Sequence, residues 1–300
     1  MWEELLVKIP NYAFVCYAVF ISIELVFALI YNYKLYRLND TLACLSMGAA
    51  YVGMRALTVG FTLMLMHFYQ QYAFFDIESN WLSFIACYIV MDFLVYCYHR
   101  STHQIRFGWA AHVAHHSSQQ FNLGATPFRQ SWAEPLLEPF AYSLIALIGF
   151  DPYMALVALE VNLIYMFWVH LEKVGKLHPL FEWLFSTPSH HRVHHANNTQ
   201  YLDKNFGGTF MIWDRMFGTF EEEKEKPVFG LVTQLNSNSP ITASFHLWIT
   251  LVRDIWYAKG LRNKLAYLVM PPGWAPDGKG QTSRQKQAIY KQDLLYRDRQ

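Results

Sequence analysis

Four histidines fall within positions 190–195 of the stretch "SHHRVHHANN". Imidazole is the commonest metal-binding side chain and titrates near neutral pH, so rings this crowded repel one another unless something holds them neutral. A bound metal does that. The spacing of "HRVHH" (His191, His194, His195) is repeated in "HVAHH" (His112, His115, His116). Offsets of three and four place such a trio within an arc of about 100° on a helix, so one face can offer several nitrogens to one centre. A third group, "HRSTH", sets His99 and His103 one turn apart. Asp92, seven positions earlier, returns to nearly the same face and is expected to accept a ligand's second ring N–H, fixing its tautomer. His170 in "FWVH" makes a ninth candidate nitrogen and His190 a tenth. A single zinc takes about four ligands, so this inventory implies two metals, or one with a large surrounding shell, and two is the better fit.

Weaker candidates flank these groups. Asn122 and Asn198 follow the second and third boxes, and each reads equally well as a ligand or substrate contact and as a turn residue. Asp203 and Asp214 either offset the charge of the metals or pair with Lys204 and Arg215. Glu24 lies in the middle of an apolar segment, which makes it functional by default, while pairing with Arg55 is the structural alternative. His67, His178 and His246 read as packing or turn residues. For the third box, Thr187 is expected to cap a helix whose first residue is Pro188.

These residues need elements to position them, and the composition says of what kind. Of 300 residues, 53% are hydrophobic and only 16% charged, with aromatics at 17%. This suits an all-α integral membrane bundle with a helical cap on its cytoplasmic side that carries the dimetal site. The net charge of +1 offers no basic face for nucleic acid. Cys16, Cys44, Cys87 and Cys97 sit singly in apolar stretches and read as small packing groups. Tyr12–Tyr31 is long enough to cross a bilayer and reads as an anchor; Met47–Tyr69, Trp81–Tyr98, Leu136–Phe150 and Tyr153–Trp168 are further candidates. The last two are short, are joined by "GFDP", and are expected to form a partial hairpin or buried helices. Lys34, Arg37, Arg100, Arg106 and Arg129 fall in connections on one side, whereas 70–80 holds only Asp76 and Glu78; by the positive-inside rule the histidines lie on the cytoplasmic side. The expected organisation is 1–80 transmembrane, 81–222 catalytic and 223–300 cytoplasmic. In the last part Ile241, Phe245, Trp248, Val252 and Ile255 recur at helical spacing, as in a helix lying along the membrane surface.

Imidazole alone does not choose among iron, zinc and copper. A cluster against the ends of apolar helices is placed to meet a lipid chain, whose C–H bonds yield to activated iron and not to a Lewis acid. Two irons are therefore expected, with zinc as a contaminant. The alternative is a membrane zinc hydrolase acting on a lipid ester or amide, which needs about three ligands and an open position and leaves most of the histidines unused.

The stretches "DFLVYCYHRSTH", "AAHVAHHSSQQFNL" and "TPSHHRVHHANNTQYLDKNFGGTFMIWDRMFGTF" resemble the histidine boxes of the sterol desaturase and fatty acid hydroxylase superfamily of membrane non-haem di-iron enzymes. The run from "HHSSQQFNL" to "FRQSW" is most similar to the alkylglycerol monooxygenase branch, and the likeness covers roughly residues 85 to 222. It implies an O2-dependent lipid hydroxylase, ether-lipid oxidase or desaturase. It also implies that His99, His103, His112, His115, His116, His191, His194 and His195 are ligands, with His170 matching a further family histidine; His190 matches a position often histidine in the branch. Gln104 stands where that branch usually has an acidic residue, and no H-P-G-G haem motif is present. Electrons are thus expected from a separate donor, a pterin or a cytochrome or ferredoxin, in the bacterial inner membrane or the endoplasmic reticulum.

Overall fold

A computed structural model describes residues 1–297, and among these the chain is all-helical. The order is α1 (Trp2–Ile30), α2 (Leu38–Gln70), α3 (Trp81–Gln104), α4 (Arg106–His112), α5 (Glu138–Tyr142), α6 (Pro152–Trp168), α7 (Pro179–Leu184), α8 (Pro188–His195), α9 (Ile212–Phe217), α10 (Pro240–Tyr257), α11 (Leu261–Val269) and α12 (Ser283–Arg297). Helices α1, α2 and α3 are each long and apolar enough to cross a membrane. α1 and α2 turn most of their side chains outward, as helices solvated by lipid chains do.

The expected hairpin is only half formed. α6 carries a buried run, Met154 to Leu159, and begins at Pro152 with Asp151 capping the Met154 amide at 2.8 Å. Its partner segment, expected as one helix over Leu136–Phe150, is broken into the 3-10 turn Glu134–Leu136, the short α5 and the 3-10 turn Ser143–Leu147. Pro135 and Pro139 supply no N–H for an α-helical ladder, and the Ser143 hydroxyl donates to the Pro139 carbonyl at 2.5 Å. α6 packs against α1 and α3, so the main apolar core lies among them: Met91, Val95, Ile145 and Met154 are fully or almost fully buried there, with Trp2 closing its far end.

Polar groups buried in the helical layer also differ from expectation. Arg55 pairs with Glu160 (2.7 Å) and Glu138 (3.6 Å), not with Glu24. Glu24 instead accepts from the Tyr36 hydroxyl and from the Leu123 amide (2.9 Å), tying α1 to the segment after the second box. Arg129, 1% exposed, donates to Ser117 (2.7 Å) and Asp40 (3.1 Å) and so fixes that same segment to the start of α2.

Candidate metal centre

The end of α3 presents His99 and His103 one turn apart and both buried. The second box does not form the single helix face that its spacing suggests. α4 ends at His112, and the chain tightens into a 3-10 turn at His115–Ser117. With fewer residues per turn, the neighbours His115 and His116 lie with their rings 88° apart and face different centres. The third box does form one short helix, α8, with Pro188 in its first turn. Thr187 stands at the cap position but makes no capping bond; its hydroxyl lies 3.2 Å from Glu182 and 3.3 Å from His190.

Nine histidines converge in two adjacent groups. His99, His103, His112, His116 and His194 form one, and His115, His170, His191 and His195 the other; in each, the donor nitrogens lie within 4.8 Å of one another. Each of the second and third boxes therefore serves both groups. All nine are buried. The groups abut, with the rings of His116 and His195 stacked at 4.4 Å between centroids.

Partners on the outer nitrogens orient the rings. Nδ1 of His99 donates to the Phe206 carbonyl (3.0 Å), that of His194 to the Lys204 carbonyl (2.9 Å), that of His170 to the Met166 carbonyl (3.0 Å) and that of His112 to the Glu134 carboxylate (2.9 Å). His103 Nδ1 lies 3.5 Å from Asp203. A ring that donates from Nδ1 has a bare lone pair on Nε2, the arrangement that second contacts impose on metal-ligating histidines. Nε2 of His99, His103 and His194 is buried without any partner, and Nε2 atoms of His170 and His191 approach to 2.9 Å. Unpartnered buried nitrogens are costly; a cation in the His99 group gives them a partner, and one in the other group can take the lone pair of His170 Nε2. Outside the long apolar helices, burial and the field of the neighbouring rings hold His115, His116, His191 and His195 well below the ordinary imidazole range. Burial brings His170 to about 4 and His194 to about 3. Held neutral in this way, these six rings are in the form that binds a metal.

Other sequence candidates fall elsewhere. Asp92 touches no histidine: it accepts from the Thr209 and Phe210 amides, Trp213 Nε1 and Asn162 Nδ2. It thereby anchors the loop whose Phe206 carbonyl orients His99. Gly208 makes that approach feasible, since a Cβ there would come within 2.8 Å of the Asp92 carboxylate. His190 belongs to neither group and packs edge-on against Phe220. Asn122 donates to the Leu35 carbonyl and Asn198 to that of Lys226. Asp214 holds the Phe206 and Gly207 amides and the Thr219 hydroxyl, while Arg215 donates to backbone carbonyls. His178 caps α7 and His67 packs edge-on against Tyr153. Sequence reasoning passed over Glu134, a buried acid in "SWAEP" on one of the broken turns; an ionisable residue in so apolar a stretch is the signal that marks it.

A cavity of about 420 Å³ opens beside the histidines. His103, His116, His194 and His195 line one end, Val113 and Leu247 its apolar wall, and Asp203 and Lys286 lie among its polar groups. Burial raises Asp203 to about 6.

Helices fit to cross a bilayer, ending in paired histidine clusters beside a cavity, describe a membrane protein with a site that could hold metal ions. Residues 84–219 match the fatty acid hydroxylase family. Alkylglycerol monooxygenase of Homo sapiens is 38% identical over 213 residues, 70% of this chain and 47% of that protein. That of Xenopus tropicalis is 34% identical over 280 residues, 89% of this chain and 60% of that protein. An ornithine lipid hydroxylase of Rhizobium tropici is 28% identical over 136 residues, 44% of this chain and 40% of that protein. Residues 84–219 thus carry a fatty acid hydroxylase domain, and the chain is similar to the alkylglycerol monooxygenases. It spans about half the length of the curated relatives it matches. No solved structure matches it.

Proposed function

We propose that the protein is a membrane di-iron oxygenase that inserts oxygen into, or desaturates, the alkyl chain of a lipid. The observation that carries this reading is the pair of buried histidine groups, five and four rings, with the outer nitrogens of His99, His112, His170 and His194 held by carbonyls or a carboxylate. Two irons bound there would supply dioxygen activation and hydrogen abstraction from a substrate carbon. His99, His103, His112, His116 and His194 would hold one, and His115, His170, His191 and His195 the other. Asp203 and Glu134 offset their charge from the outer side of His103 and His112. The apolar wall receives an alkyl segment and keeps water from the reacting carbon, while Asp203 and Lys286 are placed to meet a polar headgroup. The names of the relatives point to ether lipids and amphiphilic lipids as the substrate class. The lysines and arginines in the loops on the histidine side support a site on the cytoplasmic face, with a pterin, cytochrome or ferredoxin as the proposed electron donor. Nine ligands leave a single-metal zinc hydrolase without a use for most of them.

The test is expression in a membrane lacking the substrate, followed by addition of candidate lipids under isotopically labelled dioxygen. Products gaining one labelled oxygen atom, or losing two hydrogens, are expected, and His194→Ala should abolish them while the protein remains inserted. Turnover that continues without oxygen would overturn the reading.

A further inference from the structure

α10 carries an apolar face that nothing among the described residues covers. Ile241, Phe245, Ile249, Val252 and Trp256 are exposed and fall within an arc of about 80° on the helix. The expected stripe, which includes Trp248 and Ile255 toward one edge, is thus turned by about 40°, because those two side chains lie partly buried beside the packed face. On the opposite face Ala243, Ser244 and Leu251 are buried, and Leu247 lines the cavity beside the histidines. α11 continues the pattern with exposed Leu261, Leu265 and Val269, one turn apart, after a reversal at Gly260 in the left-handed region (φ 78).

Two further observations say what covers this face. Arg253, Lys259, Arg262 and Lys264 accompany it, while the sole acid between 240 and 270, Asp254, is shared between Arg106 and Arg253 (3.7 Å). And α10 packs on α2, where Ala243 joins Met47, and on α4, which continues from the histidine end of α3. An apolar stripe edged with cations at the end of bilayer-length helices has the chemistry of a helix lying in a lipid headgroup layer.

We propose that α10 and α11 lie in the headgroup layer of an anionic lipid surface, with α10 as the wall, one helix thick, between that layer and the cavity. The use of this wall as the lipid's route to the metals rests on the oxygenase reading; its placement at the surface does not. The test uses the full chain with Cys16→Ala and Cys97→Ala, carrying one added cysteine at Ile249→Cys, Val252→Cys or Leu265→Cys, or at the exposed Lys279→Cys as a water-facing reference. Each is labelled with an environment-sensitive fluorophore in phosphatidylglycerol-containing vesicles. The first three labels should be quenched several-fold more than the reference by shallow brominated lipid and several-fold less by iodide, and the lipid quenching should fall in purely zwitterionic vesicles. Iodide quenching equal to the reference would overturn the proposal. So would shielding from both quenchers, which would mean a second copy or another protein covers the face. No turnover is involved, so failure here leaves the oxygenase reading standing, and an inactive protein can still support this one.

Discussion

Asp92→Asn isolates the part of the scaffold that aims the first histidine. One carboxylate oxygen takes the Thr209 amide (2.6 Å) and Asn162 Nδ2 (2.5 Å); the other takes Trp213 Nε1 (2.8 Å) and the Phe210 amide (3.2 Å). The variant is isosteric, but whichever way its amide turns, an NH2 group faces two donors, so two of the four lose their acceptor. At about 1–3 kcal/mol for each buried donor left unmatched, the loss is roughly 2–6 kcal/mol. Removing a buried charge offsets some of it, which places the expected net at about 2–3 kcal/mol. The consequence reaches the site because the same loop supplies the Phe206 carbonyl that holds His99. Loss of such an outer contact costs about 10–100-fold in metal affinity. The assay is thermal unfolding in detergent or nanodiscs together with metal content after dialysis against a graded chelator. Asp92→Ala, which leaves all four donors unmatched, should fall further than Asp92→Asn. An Asp92→Asn protein with the parent's unfolding midpoint and full metal retention would refute the reasoning.

Two other outcomes follow from the outer contacts and the buried rings. Glu134→Ala should weaken metal binding by about 10–100-fold, and Glu134→Gln less, since the Gln carbonyl can still accept from His112 Nδ1; metal competition titrations read both, and equal affinities for all three proteins would contradict the role. The metal-free protein should lose stability in acid. His170 and His194 sit near 4 and 3 when folded, against 6.5 for free imidazole, so the unfolded chain binds more protons between these values. Stability present above pH about 6.5 is therefore lost as pH falls toward 4 and then 3. Unfolding midpoints measured across that range check it, and a flat profile would contradict it.

The histidines that converge were legible as a set because spacing at one helical turn is written in the sequence. Their partition was not. The split of His115 from His116 depends on a change from α to 3-10 winding after His112, and nothing in "HVAHHSS" reports that local tightening. Asp92 was read from helical periodicity as a partner for His99, yet the side chains that reach it are Asn162 of α6 and Trp213 of α9 and the amides those of Thr209 and Phe210, a long-range arrangement that periodicity along one helix does not contain. Apolar length marked α1, α2, α3 and α6 well. It misread 136–150, where Pro135 and Pro139 outweigh hydrophobicity. Glu24 and Arg55 lie on consecutive helices but take different partners, Tyr36 and Leu123 for one and Glu138 and Glu160 for the other, so proximity in the order of helices did not become contact.

Metal stoichiometry joined to the location of each ion tests the central claim most directly. Protein purified with iron should carry two ions per chain, seen in cryo-electron microscopy or anomalous density as one centre within each histidine group. His116→Ala should empty the group around His99 and His194, and His115→Ala the group around His170 and His191, although the two substitutions are neighbours in the chain. A single ion per chain, or the same centre emptied by both substitutions, would contradict the account.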